Sequence, residues 1–256
     1  MRFQALVVTA VLLSASSPVM AGPISGLYVF GDSLSDNGNL SAIAAVATGG
    51  AVVVPAPPYA PGRASNGPVA VEYLAGALGL GPLVPAALGG TNYAVIGAAT
   101  GEVPFPVPGD PSNTADNVAE LLGLALPVPT GLLNGQLPVF LSTLPAIGPI
   151  DPDALFVLWG GPNDLAISPS LATAEAAADN IAAALDTLYL AGARRFLVPA
   201  MPDLGLTPGA PDPTAALSVL SSAFNAQLRD NLTARQSLAG IGIASFDTAA
   251  FFQAAV

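Results

Sequence analysis

The 256 residues contain no cysteine and no histidine. Without cysteine the chain makes no disulfide and no thiolate metal site, and redox chemistry says nothing about its compartment. Without histidine it lacks both the commonest general base and the commonest metal ligand. Positive charge is scarce as well. The six basic residues (Arg2, Arg63, Arg194, Arg195, Arg229 and Arg235) are all arginines, and against 17 acidic residues they leave a net charge of −11. That balance repels phosphate backbones and anionic lipid, so nucleic acid is not an expected partner.

Long apolar runs are also missing, despite a mean hydropathy of +0.64. Much of the 52% hydrophobic content is alanine, and 27 glycines and 26 prolines interrupt nearly every run. After the N-terminal leader, no segment reaches the roughly 18 apolar residues a bilayer span requires. A soluble mature chain without a transmembrane segment is expected.

The leader itself is Met1–Ala21: one early charge (Arg2), an apolar stretch from Ala5 to Leu13, and small residues around Ala21 before Gly22. This reads as a secretory signal peptide cleaved near Ala21, which predicts a secreted or periplasmic protein. Residues 22–256 suit one α/β domain by length.

The organising stretch runs from Leu27 to Asn39. Leu27–Phe30 is a short apolar run rich in β-formers that stops at Gly31, and Asp32 and Ser33 follow at once. The serine therefore sits where a buried strand ends, the position at which open parallel sheets bind ligands. Ser33 is a candidate nucleophile. Gly-Asp-Ser is equally a common turn sequence, and on this segment alone the two readings stay open.

Strand and helix signals alternate through the rest of the chain. Ser41–Pro61 lacks a clear period and is proline-rich at its end, so it reads as a surface loop; a helix is expected after Pro68, along Val71, Tyr73, Leu74 and Leu78. Thr91–Ile96 is strand-like and ends in the small residues Gly97–Gly101. Glu102–Pro149 is irregular, with a possible helix from Asn113 to Leu124 and loop-like sequence around Gln136. Leu155–Trp159 is a continuous apolar strand ending in Gly160-Gly161-Pro162-Asn163-Asp164. Ala174–Leu190 is an alanine-rich helix, Arg195–Ala200 a fourth strand, Leu217–Leu232 a long amphipathic helix, and Ile241–Phe246 a fifth strand with Asp247 at its end. This alternation predicts a parallel, doubly wound sheet covered by helices on both faces.

Three strand ends thus carry a hydroxyl (Ser33), a small-residue turn with a backbone N–H (Gly97) and a side-chain amide (Asn163), which are the groups acyl transfer needs. A serine attacking an ester carbonyl creates an oxyanion, and each preorganised donor aimed at it is worth about 3 kcal/mol. Taken singly, Gly97 reads as a turn glycine and Asn163 as a helix cap.

Taken together, Gly31-Asp32-Ser33-Leu34-Ser35-Asp36, Gly97 within Asn92–Gly97, and Gly161-Pro162-Asn163-Asp164 resemble the first three sequence blocks of the GDSL (SGNH) esterase/lipase family, in the family's order. Gly62–Gly67 and Pro199–Gly205 resemble further stretches of its secreted members. The resemblance implies a flavodoxin-like three-layer α/β/α sandwich with a five-stranded parallel sheet, and no cofactor or metal. It implies a serine ester hydrolase acting on small-molecule, lipid or carbohydrate esters. Ser33 is then the nucleophile; its N–H, Gly97 and Asn163 form the oxyanion hole; Asp32 and Asp164 shape their turns.

The resemblance leaves one block unmatched. Family members close with an Asp-x-x-His block that supplies base and orienter, and this chain has neither that block nor any histidine. Three readings follow: a chain truncated before the block, a degenerate member that binds acyl or glycan ligands without turnover, or another group serving as base. The intact earlier blocks favour truncation, and a larger exported protein with a surface anchor or barrel is a further form of it. Asp247 is a poor substitute, because a carboxylate of ordinary pKa near 4 takes a serine proton badly. As written, the chain is expected to be nearly inactive, keeping about 10³- to 10⁴-fold over water from oxyanion binding alone. Without a final helix, the last strand around Ile241, Ile243 and Phe246 is expected to lack cover.

Overall fold

The computed structural model describes residues 22–104, 114–117, 128–207 and 214–255. The leader Met1–Ala21 and most of the proline-rich stretch after Pro104 lie outside these residues, as does the greater part of the helix expected over Asn113–Leu124. Four parallel strands form the central sheet: β1 (Leu27–Gly31), β4 (Leu155–Trp159), β5 (Arg195–Leu197) and β6 (Gly242–Ala244), in the order β1-β4-β5-β6. β1 and β4 run in full register from Leu27 opposite Leu155 to Gly31 opposite Trp159.

The strand expected over Thr91–Ile96 is present only as an irregular ladder. Thr91–Val95 follows the free edge of β1, where Val29 N–H donates to Thr91 O (3.1 Å), Tyr93 N–H to Val29 O (2.7 Å) and Val95 N–H to Gly31 O (3.1 Å). Only Asn92 forms a bridge there. The Asn92 side chain bends the segment by bonding elsewhere: its Oδ1 accepts from Ala94 N–H, and its Nδ2 donates to Ser35 O and Asn37 Oδ1. The sheet thus has four regular strands rather than five, in a doubly wound arrangement.

Alternation along the strands sorts the core into two layers. Phe30, Phe156, Leu158 and Phe196 face one side, against α3 (Leu137–Ile147), α5 (Leu171–Leu190) and α6 (Thr214–Arg235). Phe140 of α3 stands edge-on to both Phe30 and Tyr93, at 5.5 Å between ring centroids. Leu27, Val29, Leu155 and Val157 face the other side, against Val71 and Ala75 of α2 (Ala70–Ala77). On the long helix α6 the expected stripe is buried: Leu220, Phe224, Leu228 and Leu232 all enter the first layer. Tyr73, expected on the buried face of α2, is instead exposed; Val71 and Ala75 make the contact.

Four further expectations change. Ser41–Pro61 is not a loop throughout, because α1 (Asn39–Thr48) occupies its first half. The prolines exclude helix only from Pro55 onward, and the start of α1 is fixed by a carboxylate upstream, Asp36. Ala98 onward is not a simple turn: β2 (Ala98–Pro104) pairs antiparallel with β3 (Thr114–Asn117) in a separate two-stranded sheet, so residues 114–117 are strand, not helix. The stretch around Gln136 is helical, a π-turn at Leu132–Gln136 running into α3. At the last strand, Ile241 is buried and Ile243 packs into the first layer, while Phe246 is exposed beside Phe251 of α7 (Thr248–Ala255) at 5.7 Å. Ile241 and Ile243, two residues apart, share the inward face, so the bare face expected here is limited to Phe246. α4 (Pro162–Ile167) completes the helices.

Candidate active site

The three sequence-predicted groups come from neighbouring strand ends. Ser33 follows β1, Gly97 follows the Thr91–Val95 edge segment on one side of it, and Asn163 opens α4 after β4 on the other. Adjacent strands lie about 4.8 Å apart, so the fold gathers the three turns by its strand order alone. The outer two meet directly: Asn163 Nδ2 donates to Ala98 O at 2.9 Å, one residue beyond Gly97. One of the two amide protons of Asn163 is therefore engaged by the neighbouring turn.

The Ser33 turn is built by its flanking carboxylates. Asp32 is buried; its Oδ1 accepts from Leu34 N–H (2.9 Å), and its backbone O accepts from Ser35 and Asp36 N–H. The Asp32 Oδ2 atom is buried with no hydrogen-bond partner. Desolvation, helped by the nearby negative Asp164, pushes the Asp32 carboxyl up to about 7. Asp36 behaves differently. Its carboxylate accepts from Gly38, Asn39 and Leu40 N–H, capping α1, and reaches across to Ile96 N–H at 2.8 Å. Burial raises its pKa, and those four bonds oppose the rise.

The Gly97 turn is closed by Ala98 N–H to Val95 O (3.1 Å), with Gly97 at φ +82°. A side chain there would be strained, and its Cβ would lie 2.5 Å from Asn117 Oδ1. Asn117 Nδ2 donates to Ile96 O (2.9 Å) and to Thr130 Oγ1 (2.9 Å), so it braces the turn from behind. Asp164 holds the third turn: its carboxylate accepts from Thr100 N–H (2.9 Å) and Thr100 Oγ1 (2.6 Å), and Asn180 Nδ2 donates to the same hydroxyl. Burial pushes Asp164 up to about 6, against the Thr100 bonds.

Beneath the serine turn, the amide of Gln136 clamps Gly31: its Oε1 accepts from Gly31 N–H and its Nε2 donates to Gly31 O, both at 2.8 Å. The expected block at 62–67 also contributes, since Arg63 grips Glu72 of α2 through two N–H donors and Glu72 Oε2 accepts from Val69 N–H. Sequence reasoning singled out Asp32 and Asp164 but not Asn117, Thr130, Gln136, Thr100 or Asn180. Their signal was weak: isolated amides and hydroxyls within small or apolar sequence.

Asp247 stands apart. It follows β6, three strands from β1, or about 14 Å at sheet spacing, and its Oδ1 accepts from Ala250 N–H as a helix cap. Among the described residues no helix is long and apolar enough to cross a membrane.

A four-stranded parallel sheet between helix layers, with hydroxyl, glycine turn and amide side by side at its carboxyl edge, defines the chain as an α/β sandwich of hydrolase type. More particularly, the family model described as GDSL-like Lipase/Acylhydrolase matches residues 27–253, and the chain belongs to that family of ester hydrolases. The chain is also similar to an uncharacterized protein in the trpE-trpG intergenic region of Pseudomonas putida. The two are 32% identical over 229 residues, which covers 82% of this chain and 34% of the relative. The chain thus spans about a third of the length of the curated relative it matches.

Proposed function

We propose that this chain carries the nucleophile half of an exported serine ester hydrolase. Ser33 attacks the ester carbonyl, and the Ser33 N–H, the Gly97 N–H and the remaining Asn163 amide proton receive the oxyanion. Asp32 holds the serine turn and Asp164 the asparagine turn, rather than exchanging protons with substrate. The observation that supports this most is the bond from Asn163 to Ala98 O, which joins the two donor turns on either side of β1. Export to the periplasm or medium rests on the leader Met1–Ala21.

No histidine is present to deprotonate Ser33, and the chain by itself is nearly inactive on this reading. The same absence supports a second reading, an acyl- or glycan-binding protein of the same fold that does not turn over. Labelling with an ethyl fluorophosphonate separates them, on the chain and on the chain fused to an Asp-x-x-His block, with Ser33→Ala as control. Ser33-dependent labelling that appears with the block supports the hydrolase. Absence of labelling in both forms supports the binding protein.

A further inference from the structure

Among the described residues the central sheet has one covered edge and one open edge. Beside β1 the Thr91–Val95 segment supplies backbone partners, whereas no described strand pairs with the outer side of β6. The bonds on the inner side of β6 fix which groups face out. Gly242 N–H donates to Arg194 O, and the carbonyls of Ala244 and Phe246 accept from Val198 and Ala200 N–H. The even-numbered residues are therefore turned to β5, and the N–H and C=O groups of Ile243 and Ser245 point away from the sheet.

Proteins blunt such edges with charge, proline or a bulge. Ile241–Phe246 contains no charged residue and no proline. Phe246 and its neighbour Phe251 are 47% and 59% exposed, so one face of the edge carries a bare aromatic pair. Two charges complete the surface. Arg63, Arg195 and Arg235 each hold a carboxylate, and Arg194 holds backbone carbonyls. Arg229 alone among the described arginines has no such partner, and with Asp247 it lines a groove of about 250 Å³ between α6 and β6. The two halves of an ion pair, left unjoined within one chain, make this surface self-complementary, as a two-fold interface requires.

We propose that β6 is a dimer interface: two copies of this chain join their β6 edges antiparallel about a two-fold axis at Ala244, making one continuous sheet. In that register Ile243 pairs with the partner's Ser245, each such pair exchanging both N–H···O bonds, so every outward backbone group of the two residues is used. Phe246 then lies opposite the partner's Gly242, where the missing side chain leaves room for the ring. Antiparallel pairing also sets the carboxyl end of one β6 beside the amino end of the other. Because α6 leads back to the amino end of β6, its second half brings Arg229 toward the partner's Asp247. The chain's charge of −11 opposes association, but a Debye length of about 8 Å at physiological salt confines that repulsion to charges near the contact.

The test is sedimentation velocity of the full chain over a wide range of concentration, which should show a reversible monomer–dimer equilibrium. Ala244 is exposed and meets its own copy at the axis, so Ala244→Lys sets two like charges face to face and should weaken the dimer about tenfold or more. Because the chain has no cysteine, Ala244→Cys reads the register. Opposed residues of a non-hydrogen-bonded pair stand about 4.5 Å apart at Cα, within the disulfide range of roughly 4.4–6.8 Å. Mild oxidation should give a covalent dimer, whereas Leu190→Cys, on the exposed end of α5, should not. Arg229→Glu and Asp247→Arg should each weaken self-association, and mixing the two variants should restore it, because each contact then joins opposite charges again. The interface is overturned by a monomer at every concentration, by open-ended aggregation, or by an Ala244→Lys variant as dimeric as the parent. Equal cross-linking at both cysteine positions, or a mixture no tighter than its components, overturns it as well.

Discussion

The carboxylate of Asp36 accepts the backbone N–H of Ile96 at 2.8 Å, 60 residues away in the chain, while it caps the first turn of α1. One side chain thereby fixes the spacing between the serine turn and the glycine turn. Because the group is buried, its loss leaves several N–H donors without partners. Asp36→Ala should cost about 2–4 kcal/mol of stability, from lost capping and unmade buried bonds, measurable by urea unfolding. A cost below about 0.5 kcal/mol would show that water replaces the carboxylate.

Gly97→Ala combines a positive φ with a clash against Asn117 Oδ1. The conformational part is about 1 kcal/mol and the clash adds to it. In an Asn117→Ala background the clash is absent, so the cost of Gly97→Ala should fall to the conformational part alone. A double-mutant cycle reads this difference directly, and additive costs would mean the two residues do not touch in solution.

Gly31→Ala has no such escape. At φ +151° its Cβ would lie 2.0 Å from the backbone oxygen of Trp159, inside the paired strands β1 and β4. The expected outcome is loss of the cooperative unfolding transition in circular dichroism. A soluble, cooperatively melting variant would show that the β1–β4 register can slip.

Stability should fall as pH rises from about 4 toward 7. Asp32 and Asp164 have carboxyls raised from 3.8 to about 7 and about 6, so across that window the folded state binds protons that the unfolded state has released. Each group then contributes a slope of up to about −1.4 kcal/mol per pH unit. Asp32→Asn removes one contributor and keeps the oxygen that accepts from Leu34 N–H. Urea midpoints from pH 4.5 to 8 should therefore flatten in Asp32→Asn. An identical slope in both proteins would place the titration elsewhere.

Thr100→Val keeps the backbone donor to Asp164 and removes the hydroxyl at 2.6 Å. The ionised carboxylate loses a partner, so Asp164 should titrate higher still, and stability at pH 7.5 should drop by about 1–2 kcal/mol. The Asp164 side-chain carbon resonance followed against pH measures the shift, and an unchanged midpoint would contradict it.

Much of this architecture was legible in order. Leu155–Trp159 is apolar without interruption because both faces of β4 are covered, and the Leu220-Phe224-Leu228-Leu232 stripe is buried where its period placed it. The errors have particular causes. α1 was hidden because its N-terminal signal, Asp36, lies three residues before the helix and inside the serine block. The antiparallel β2–β3 pair was hidden because Ala98–Pro104 and Thr114–Asn117 carry little apolar alternation, and pairing between distant segments leaves no local period. The bare face expected at the C-terminal strand reduces to Phe246, because Ile241 and Ile243 lie two residues apart and share the face that packs inward.

The sequence by itself determined the residue types and the strand ends that bear them: apolar runs must be buried, and a carboxylate or hydroxyl directly after one must stand at the sheet's edge. Only the tertiary structure decided which of those ends are neighbours. It also decided that Asn117, Thr130 and Gln136, remote in the chain, support the serine and glycine turns. The physical reason is that hydrophobic burial is read locally along the chain. Hydrogen-bond partners and cavities instead depend on which surfaces packing brings within a few ångströms.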